Sequence, residues 1–306
     1  MLEQAHVFTS RGRQLVAIEH IPGSLSEQAP ELTPELIPEL IPELIPEVKS
    51  KEKISTQGII IVVGGPQTRV GSHRLFVLLS RALAKQGIHV FRFDYTGTGD
   101  SEGDVTNFTD IQADISEAVN YFKQQQPQLT TLSLWGLCDA ASAILLYLAQ
   151  YPKESFAIHQ LILVNPWVSQ THTTAQAYLK SYYFNRFFSQ DFWKKLFMGK
   201  INTRQTLNEV HDFQQQSKQP AEKNNFVDLM YQGLRDFRGK SYIALSGNDL
   251  TSDEFILLVK NSDDWNKLMA DNKITTEIIK LANHTFSASN SQQLLIEKTL
   301  KALLSG

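Results

Sequence analysis

Short apolar segments alternate with amphipathic ones along most of this sequence. The amphipathic stretch 73–86 carries apolar residues on one helical stripe, and Thr109-x-x-Gln112 matches a capping box that opens a helix. Strands that alternate with helices favour an α/β fold with a mostly parallel sheet and helices on both faces. The clearest predicted strands are GIIIVVGG (58–65), HVFRFDY (89–95), LTTLSLWG (129–136) and IHQLILVNP (158–166).

The two ends of the chain extend this pattern, and together they predict a single domain over residues 1–306. Residues 167–236 interrupt it, because they are rich in aromatic residues and contain no good strand pattern. We interpret them as a helical cap, or lid, inserted after the sixth strand. The elements predicted at the two ends are strands at 5–9, 14–20, 241–249 and 275–284, and helices near 252–270 and from Ser289.

An insert at 22–56 departs from the pattern. Within it, proline recurs at every fourth residue of PELTPELIPELIPELIPEV (30–48). Each proline removes a backbone donor and clashes with the preceding turn, so no long helix or central strand can pass through. We interpret 22–56 as a flexible surface insert, because long surface insertions cost little loop-closure entropy. The alternative is a docking peptide that binds a protein partner through 30–48.

The composition excludes several classes of protein. Lys plus Arg is 29 and Asp plus Glu is 32, so the net charge of −3 excludes the strongly basic surface that nucleic acids require. The single cysteine, Cys138, excludes an intramolecular disulfide and a cysteine-rich zinc site. Metal-ligand and nucleotide-binding motifs are missing, so we expect no cofactor. The sequence shows no signal peptide and no apolar run of the ~18 residues that a membrane span needs, so we expect a cytoplasmic protein.

Cys138 lies where this architecture would place a nucleophile. Gly136-Leu137-Cys138-Asp139-Ala140 joins a predicted strand directly to an apolar helix. A nucleophile on so tight a turn needs small residues two positions before and after it, and Gly136 and Ala140 meet that need. The helix N-terminus favours a thiolate, whereas the Asp139 carboxylate would oppose one if it pointed inward. The motif predicts a cysteine variant of the nucleophile elbow; a buried, inert cysteine is the alternative.

Two further residues complete a predicted catalytic triad. His284, in Ala-Asn-His-Thr-Phe, lies between the last predicted strand and the last helix and is the candidate base. Asp249 follows another strand and is the candidate orienting acid, with Asp253 and Glu254 as alternatives. The order Cys138, Asp249, His284 is the nucleophile–acid–histidine order of α/β-hydrolases.

The backbone N–H groups of Gly65 and Asp139 are the predicted donors of an oxyanion hole. Gly65 follows the third strand, and the next residue, Pro66, has no N–H to donate. We therefore favour Gly65, with the N–H of Gln67 as the alternative. His73 and Arg74 on the same loop are candidates to bind a carboxylate or phosphate of the substrate, and the alternative is that they only hold the loop. The residues that we assign to substrate binding are these two with Gln67, also on this loop, and Trp167, which begins the aromatic segment that would form an apolar wall.

Several longer motifs cover nearly the whole chain outside the 22–56 insert. They are GGPQTRVGSHRLFVLLSRALA (64–84), FRFDYTGTGDSEG (91–103), WGLCDAASA (135–143), NPWV (165–168), YLKSYYFNRFFSQDFWKKLF (178–197), LSGNDLTSDEF (245–255) and NHTFS (283–287). With them the chain resembles the α/β-hydrolase superfamily and, more narrowly, the exosortase A system-associated hydrolase 1 family. The resemblance implies a cytoplasmic bacterial enzyme encoded beside machinery for exopolysaccharide production and protein sorting. The chain departs from the usual pattern at Ala140, where glycine is common, and at Asn283, where an acidic residue often precedes the histidine.

These observations lead to three functional hypotheses. The first is a hydrolase of carboxylic esters or thioesters that acts on a small-molecule acyl substrate through a cysteine acyl-enzyme. The second is an acyltransferase, because a cysteine acyl-enzyme is a thioester that also reacts with amines and alcohols. The third is a non-catalytic adaptor with the same fold, since a fold alone does not fix function.

Overall fold

The computed structural model describes residues 1–23, 55–65, 67–168 and 225–305. The proline repeat at 30–48 and the part of the predicted cap between 169 and 224 lie outside these residues. The described strands are β1 (Leu2–Ser10), β2 (Arg13–Ile21), β3 (Gln57–Val62), β4 (His89–Phe93), β5 (Thr131–Leu137), β6 (Gln160–Val164), β7 (Lys240–Asn248) and β8 (Ile274–Asn283). The described α-helices are α1 (Leu75–Lys85), α2 (Gln112–Gln125), α3 (Asp139–Gln150), α4 (Asn225–Asp236), α5 (Leu250–Asn261), α6 (Asp263–Met269) and α7 (Ser289–Leu304).

The strands form one sheet in the order β1-β2-β4-β3-β5-β6-β7-β8. The pairs from β4 across to β8 are parallel, whereas β1 and β2 add an antiparallel hairpin at the β4 edge. The predicted parallel sheet and the predicted strand pair at the start of the chain are confirmed. The central strands β4 and β6 are buried at every position, as expected where helices cover both faces.

Alternate residues of β5 show how the two helical layers cover the sheet. The Trp135 indole packs edge-on against Phe76 of α1, and its Nε1–H donates to Thr299 of α7 at 3.4 Å. A side chain at the next residue, Gly136, would instead lie 2.8 Å from the backbone of α3 at Ala141. One face of β5 therefore packs on α1 and α7, and the other packs closely on α3. Because α3 begins where β5 ends, this close approach fixes the turn between them.

Two predicted helices differ from those observed. Helix α2 begins at Gln112 rather than beside Thr109, because a 3₁₀ turn that buries Phe108 comes first and the Thr109 hydroxyl donates to Asp110 instead of capping the helix. The single helix predicted near 252–270 is two helices. Ser262 adopts an extended conformation between them, and its Oγ accepts the N–H of Trp265 and caps α6.

Within residues 1–23, 55–65, 67–168 and 225–305, no helix is long and apolar enough to span a bilayer.

Candidate active site

Cys138 occupies a sharp turn between β5 and α3. Its φ of 61° and ψ of −125° lie in a region that non-glycine residues rarely adopt. The turn is held in place because the Cys138 N–H donates to the carbonyl of Val164 on β6 at 2.8 Å. Gly136 has no room for a side chain, since a Cβ there would lie 2.8 Å from the backbone of α3. The strained turn and the close packing of Gly136 are the geometry that the sequence motif predicts, and the Cys138 side chain remains partly exposed.

The ends of β7 and β8 bring His284 and Asp249 together. These strands are parallel neighbours in which Asn248 pairs with Asn283. The residues that follow them, Asp249 and His284, therefore leave the sheet at the same edge. The His284 Nδ1 lies 2.8 Å from Oδ2 of Asp249. The other carboxylate oxygen of Asp249 accepts the N–H of Thr251 at 3.2 Å, which caps α5 and fixes the carboxylate. Of the three acids considered from the sequence, Asp249 is the one that the structure places on His284.

His284 also lies near Cys138. The hydrogen bond with Asp249 and the interaction with Cys138 raise the pKa of His284 to about 10, although partial burial of the ring opposes this. The side chain of Asp249 is 5% exposed and that of His284 is 34% exposed, so water reaches the imidazole but hardly reaches the acid. At neutral pH the structure therefore favours a protonated imidazole between a carboxylate and the sulfur.

The predicted oxyanion donors face the carboxylate of Asp139. The Gly65 N–H donates to Asp139 Oδ2 at 2.8 Å. Burial raises the pKa of Asp139, and favourable contacts with the backbone N–H groups of Gly65, Ala140 and Asp139 itself oppose the rise. The second oxygen, Oδ1, is buried without a hydrogen-bond partner among the described residues. The carboxyl group of Asp139 thus already occupies the Gly65 N–H, which is one of the two predicted donors.

Trp167 lies beside the nucleophile turn. Its backbone N–H donates to the Cys138 carbonyl at 3.3 Å, and its own carbonyl accepts the Ser142 hydroxyl at 2.6 Å. Its indole stacks on Phe226 of α4, with ring centroids 5.7 Å apart, and meets Phe108 edge-on at 5.1 Å. Trp167 therefore joins the elbow to an aromatic cluster, which suits the predicted apolar wall.

The other three residues assigned to substrate binding lie on the loop that follows β3. The Gln67 side chain holds this loop, because its Oε1 accepts the N–H of Ser72 at 3.1 Å. His73 and Arg74 are exposed and adopt left-handed conformations, with φ of 52° and 60°. Neither shares a described hydrogen bond with the triad. The structure thus brings Cys138 and His284 together and leaves His73 and Arg74 at the surface.

Sequence reasoning missed two residues that position the oxyanion loop, the segment after β3 that carries Gly65. The Tyr95 hydroxyl donates to the Gly65 carbonyl at 3.0 Å and so orients the peptide that carries the N–H donor. Asp94 accepts the Arg69 N–H at 2.6 Å and also forms an ion pair with the Arg69 guanidinium. The sequence pattern places Asp94 and Tyr95 only at the end of the predicted strand 89–95. Their position at the carboxyl end of a central strand was the available signal.

In the parts of the chain that the structure describes, no group of three or more His, Cys, Asp or Glu residues could hold a metal ion.

Comparison with known families decides the classification. A family model described as serine aminopeptidase, S33, matches residues 55–236, which is more than half of the 306 residues. The chain belongs to this family of α/β-hydrolases. Its S33 match includes β3, the oxyanion loop and the elbow, but the elbow carries a cysteine in a family named for serine enzymes.

Solved structures with the same fold support this classification. An esterase from Pyrococcus furiosus has a TM-score of 0.61 at 13% identity, with 99% of this chain and 91% of that chain covered. Est1E from Butyrivibrio proteoclasticus, solved with ferulic acid bound, has a TM-score of 0.56 at 14% identity, with 98% and 100% covered. Mouse α/β-hydrolase domain-containing protein 10 has a TM-score of 0.54 at 12% identity, with 99% and 98% covered. These likenesses show the α/β-hydrolase fold that the sequence predicted. Comparison with curated proteins gave no match.

Proposed function

We propose that this protein is a hydrolase of carboxylic esters or thioesters that uses Cys138 as its nucleophile. The observation that carries the proposal is the chain of contacts from Asp249 through His284 to Cys138, at a strained strand-to-helix turn. A nucleophile, a base and an orienting group in hydrogen-bond contact are the arrangement that acyl transfer requires.

Acylation would begin with the transfer of the Cys138 proton to His284, either as the sulfur attacks or beforehand, as a pair of thiolate and imidazolium. The Cys138 sulfur attacks the acyl carbon, and the carbonyl electron pair moves onto oxygen, next to the N–H groups of Gly65 and Asp139. When the tetrahedral intermediate collapses, the bond to the leaving alkoxide or thiolate breaks. The leaving group takes its proton from His284, and the acyl group remains on sulfur as a thioester.

Deacylation would restore the enzyme with one molecule of water. Neutral His284 takes a proton from the water as its oxygen attacks the thioester carbonyl. Collapse of this second intermediate breaks the carbon–sulfur bond, releases the carboxylic acid and leaves the thiolate beside the imidazolium. Asp249 stabilises the imidazolium in both steps, because its carboxylate lies 2.8 Å from Nδ1.

The aromatic cluster of Trp167, Phe108 and Phe226 supports a small-molecule substrate with an apolar acyl group. All three rings are in contact, and the Trp167 backbone is bonded to the elbow. The motif resemblance described above supports a cytoplasmic role in a bacterial pathway associated with exopolysaccharide and exosortase A. A protein partner bound through the 30–48 repeat is a separate proposal that depends on residues outside the structure.

Intact-protein mass spectrometry tests this function. The protein is exposed briefly to a panel of activated acyl esters and thioesters, with Cys138→Ala and Cys138→Ser as matched variants. We expect an added acyl mass on the wild type that Cys138→Ala lacks. His284→Ala should retain the adduct longer, because no base activates water for deacylation.

The outcomes separate the three hypotheses. An adduct that leaves faster when an amine or alcohol is added than in water alone would favour the acyltransferase. If no donor gives an adduct, and Cys138 resists alkylation until the protein is unfolded, the nucleophile assignment is wrong. That result would leave an adaptor as the remaining hypothesis.

A further inference from the structure

The oxyanion hole of this protein contains an acidic side chain of its own. The Gly65 N–H, which would polarise a substrate carbonyl, donates instead to Asp139 Oδ2 at 2.8 Å. The predicted second donor, the backbone N–H of Asp139, belongs to the same residue as this carboxylate. A carbonyl oxygen from a substrate and the Asp139 carboxylate therefore require the same position.

The loop after β3, which carries Gly64 and Gly65, leaves space for the Asp139 carboxylate. A Cβ on Gly64 would lie 2.1 Å from Asp139 Oδ1, so only glycine leaves the space that the carboxylate occupies. Tyr95 fixes the Gly65 peptide from the other side, because its hydroxyl donates to the Gly65 carbonyl at 3.0 Å. The contact between Asp139 and Gly65 is therefore held from both elements that form the hole.

The Asp139 carboxylate is also able to move away from the Gly65 N–H. Oδ1 is buried without a hydrogen-bond partner among the described residues, which is costly for a charged group. Burial raises the pKa of Asp139 for the same reason. Rotation of the side chain toward water would restore its hydration and free the donors. Asp139 as a residue is partly exposed, so its side chain lies near the protein surface.

We propose that Asp139 determines substrate specificity by closing the oxyanion hole until a bound substrate displaces its carboxylate. The proposal rests on the esterase or thioesterase function proposed above. Under it, a minimal ester reacts slowly, because it has little binding energy to offset the displacement. A substrate that also binds elsewhere in the site gains access to the same donors.

The test compares two reactions of Cys138 in the same protein. Acylation by p-nitrophenyl acetate passes through an oxyanion, whereas alkylation by iodoacetamide does not. The ratio of the two rates therefore reports on the hole and cancels changes in sulfur reactivity. Asp139→Ala empties the hole, and Asp139→Asn keeps the shape without the charge. Glu117→Ala is the control, because it removes one carboxylate from an exposed position on α2.

Blocking one oxyanion donor costs on the order of 10²–10³ in rate, so we expect Asp139→Ala to raise the ratio by about 10- to 100-fold. Asp139→Asn should raise it by less, and this variant provides the same test if Asp139→Ala fails to fold. Glu117→Ala should leave the ratio unchanged. An unchanged or lower ratio in a folded Asp139 variant, with a wild type that is acylated, would overturn the proposal alone. Alkylation without acylation in every variant would overturn both this proposal and the proposed function.

A second measurement, by NMR, detects the hydrogen bond between Gly65 and Asp139 without any reaction of Cys138. The Gly65 amide signal of glycine-labelled protein, identified by its loss in Gly65→Ala, reports on the hydrogen bond to the carboxylate. It should shift in Asp139→Ala and stay in place in Glu117→Ala. A Gly65 signal that does not respond to Asp139→Ala would overturn the closed hole itself.

Discussion

Replacement of Asp249 by asparagine removes the negative charge that faces His284 and keeps the shape of the side chain. In the native protein the contacts with Asp249 and Cys138 raise the pKa of His284 from 6.5 to about 10. At about pH 8, a pKa of about 10 leaves ~99% of the imidazole protonated, whereas a pKa of ~6.5 leaves ~3%. Asp249 is the largest cause of this shift, so we expect Asp249→Asn to lower the protonated fraction of His284 at that pH toward the smaller value.

Two measurements check this expectation. Titration of the histidine ring signals by NMR gives the pKa directly, and the His284 signal is identified by its absence in His284→Gln. The rate of Cys138 alkylation at about pH 8 should fall in parallel, because the thiolate loses its cationic partner. Asp253→Asn is the matched control, since it removes a carboxylate from α5, the helix that Asp249 caps, and should change neither result.

The reasoning is refuted by either of two results. One is a wild-type His284 that titrates at its ordinary pKa of 6.5. The other is an Asp249→Asn protein in which the pKa of His284 stays at about 10 while the protein remains folded. A shift caused equally by Asp253→Asn would instead show that the acid had been assigned to the wrong carboxylate.

Three further predictions concern stability and loop position. Folding raises the pKa of His284 above 6.5, so protonated His284 stabilises the fold fully below about pH 6.5, and this stabilisation is lost as the pH rises toward about 10. Over that pH range, the free energy of unfolding in urea should fall more steeply for the wild type than for His284→Gln. Tyr95→Phe removes the hydrogen bond to the Gly65 carbonyl, so the free energy of unfolding should fall by about 0.5–1.5 kcal/mol. The same change should slow acylation of Cys138 but not its alkylation, and equal slowing of both reactions would show that Tyr95 does not position the oxyanion donor. Phe76→Ala removes a ring that is 1% exposed and packs on Trp135, so the free energy of unfolding measured by chemical denaturation should fall by about 3–5 kcal/mol. A fall of under about 1 kcal/mol, as for an exposed residue, would show that the core does not depend on this ring.

The sheet could be predicted because its signals are local. Buried parallel strands are short apolar runs, and the turn after β5 needs small residues at Gly136 and Ala140 for steric reasons that the sequence shows. The helix starts were less accessible. Thr109 had the right spacing for a cap, but burial of Phe108 in a 3₁₀ turn moved the start of α2 to Gln112.

The candidate site divides in the same way. The sequence by itself determined that Cys138, Asp249 and His284 follow strands, and parallel strands end at one edge of a sheet. Only the tertiary structure decided which acid reaches the histidine, because that depends on the pairing of Asn248 with Asn283 between strands far apart in the chain.

The direction of the Asp139 carboxylate was likewise beyond the sequence. Its position next to Cys138 was plain, and so was the conflict that it would cause with a thiolate if it pointed inward. Whether it faces water or the Gly65 N–H depends on how closely the β3 loop approaches α3, and Gly64 sets that distance. Spacing along a chain predicts which groups leave the same edge of a sheet, but contact between them is set by the packing of segments that are distant in sequence.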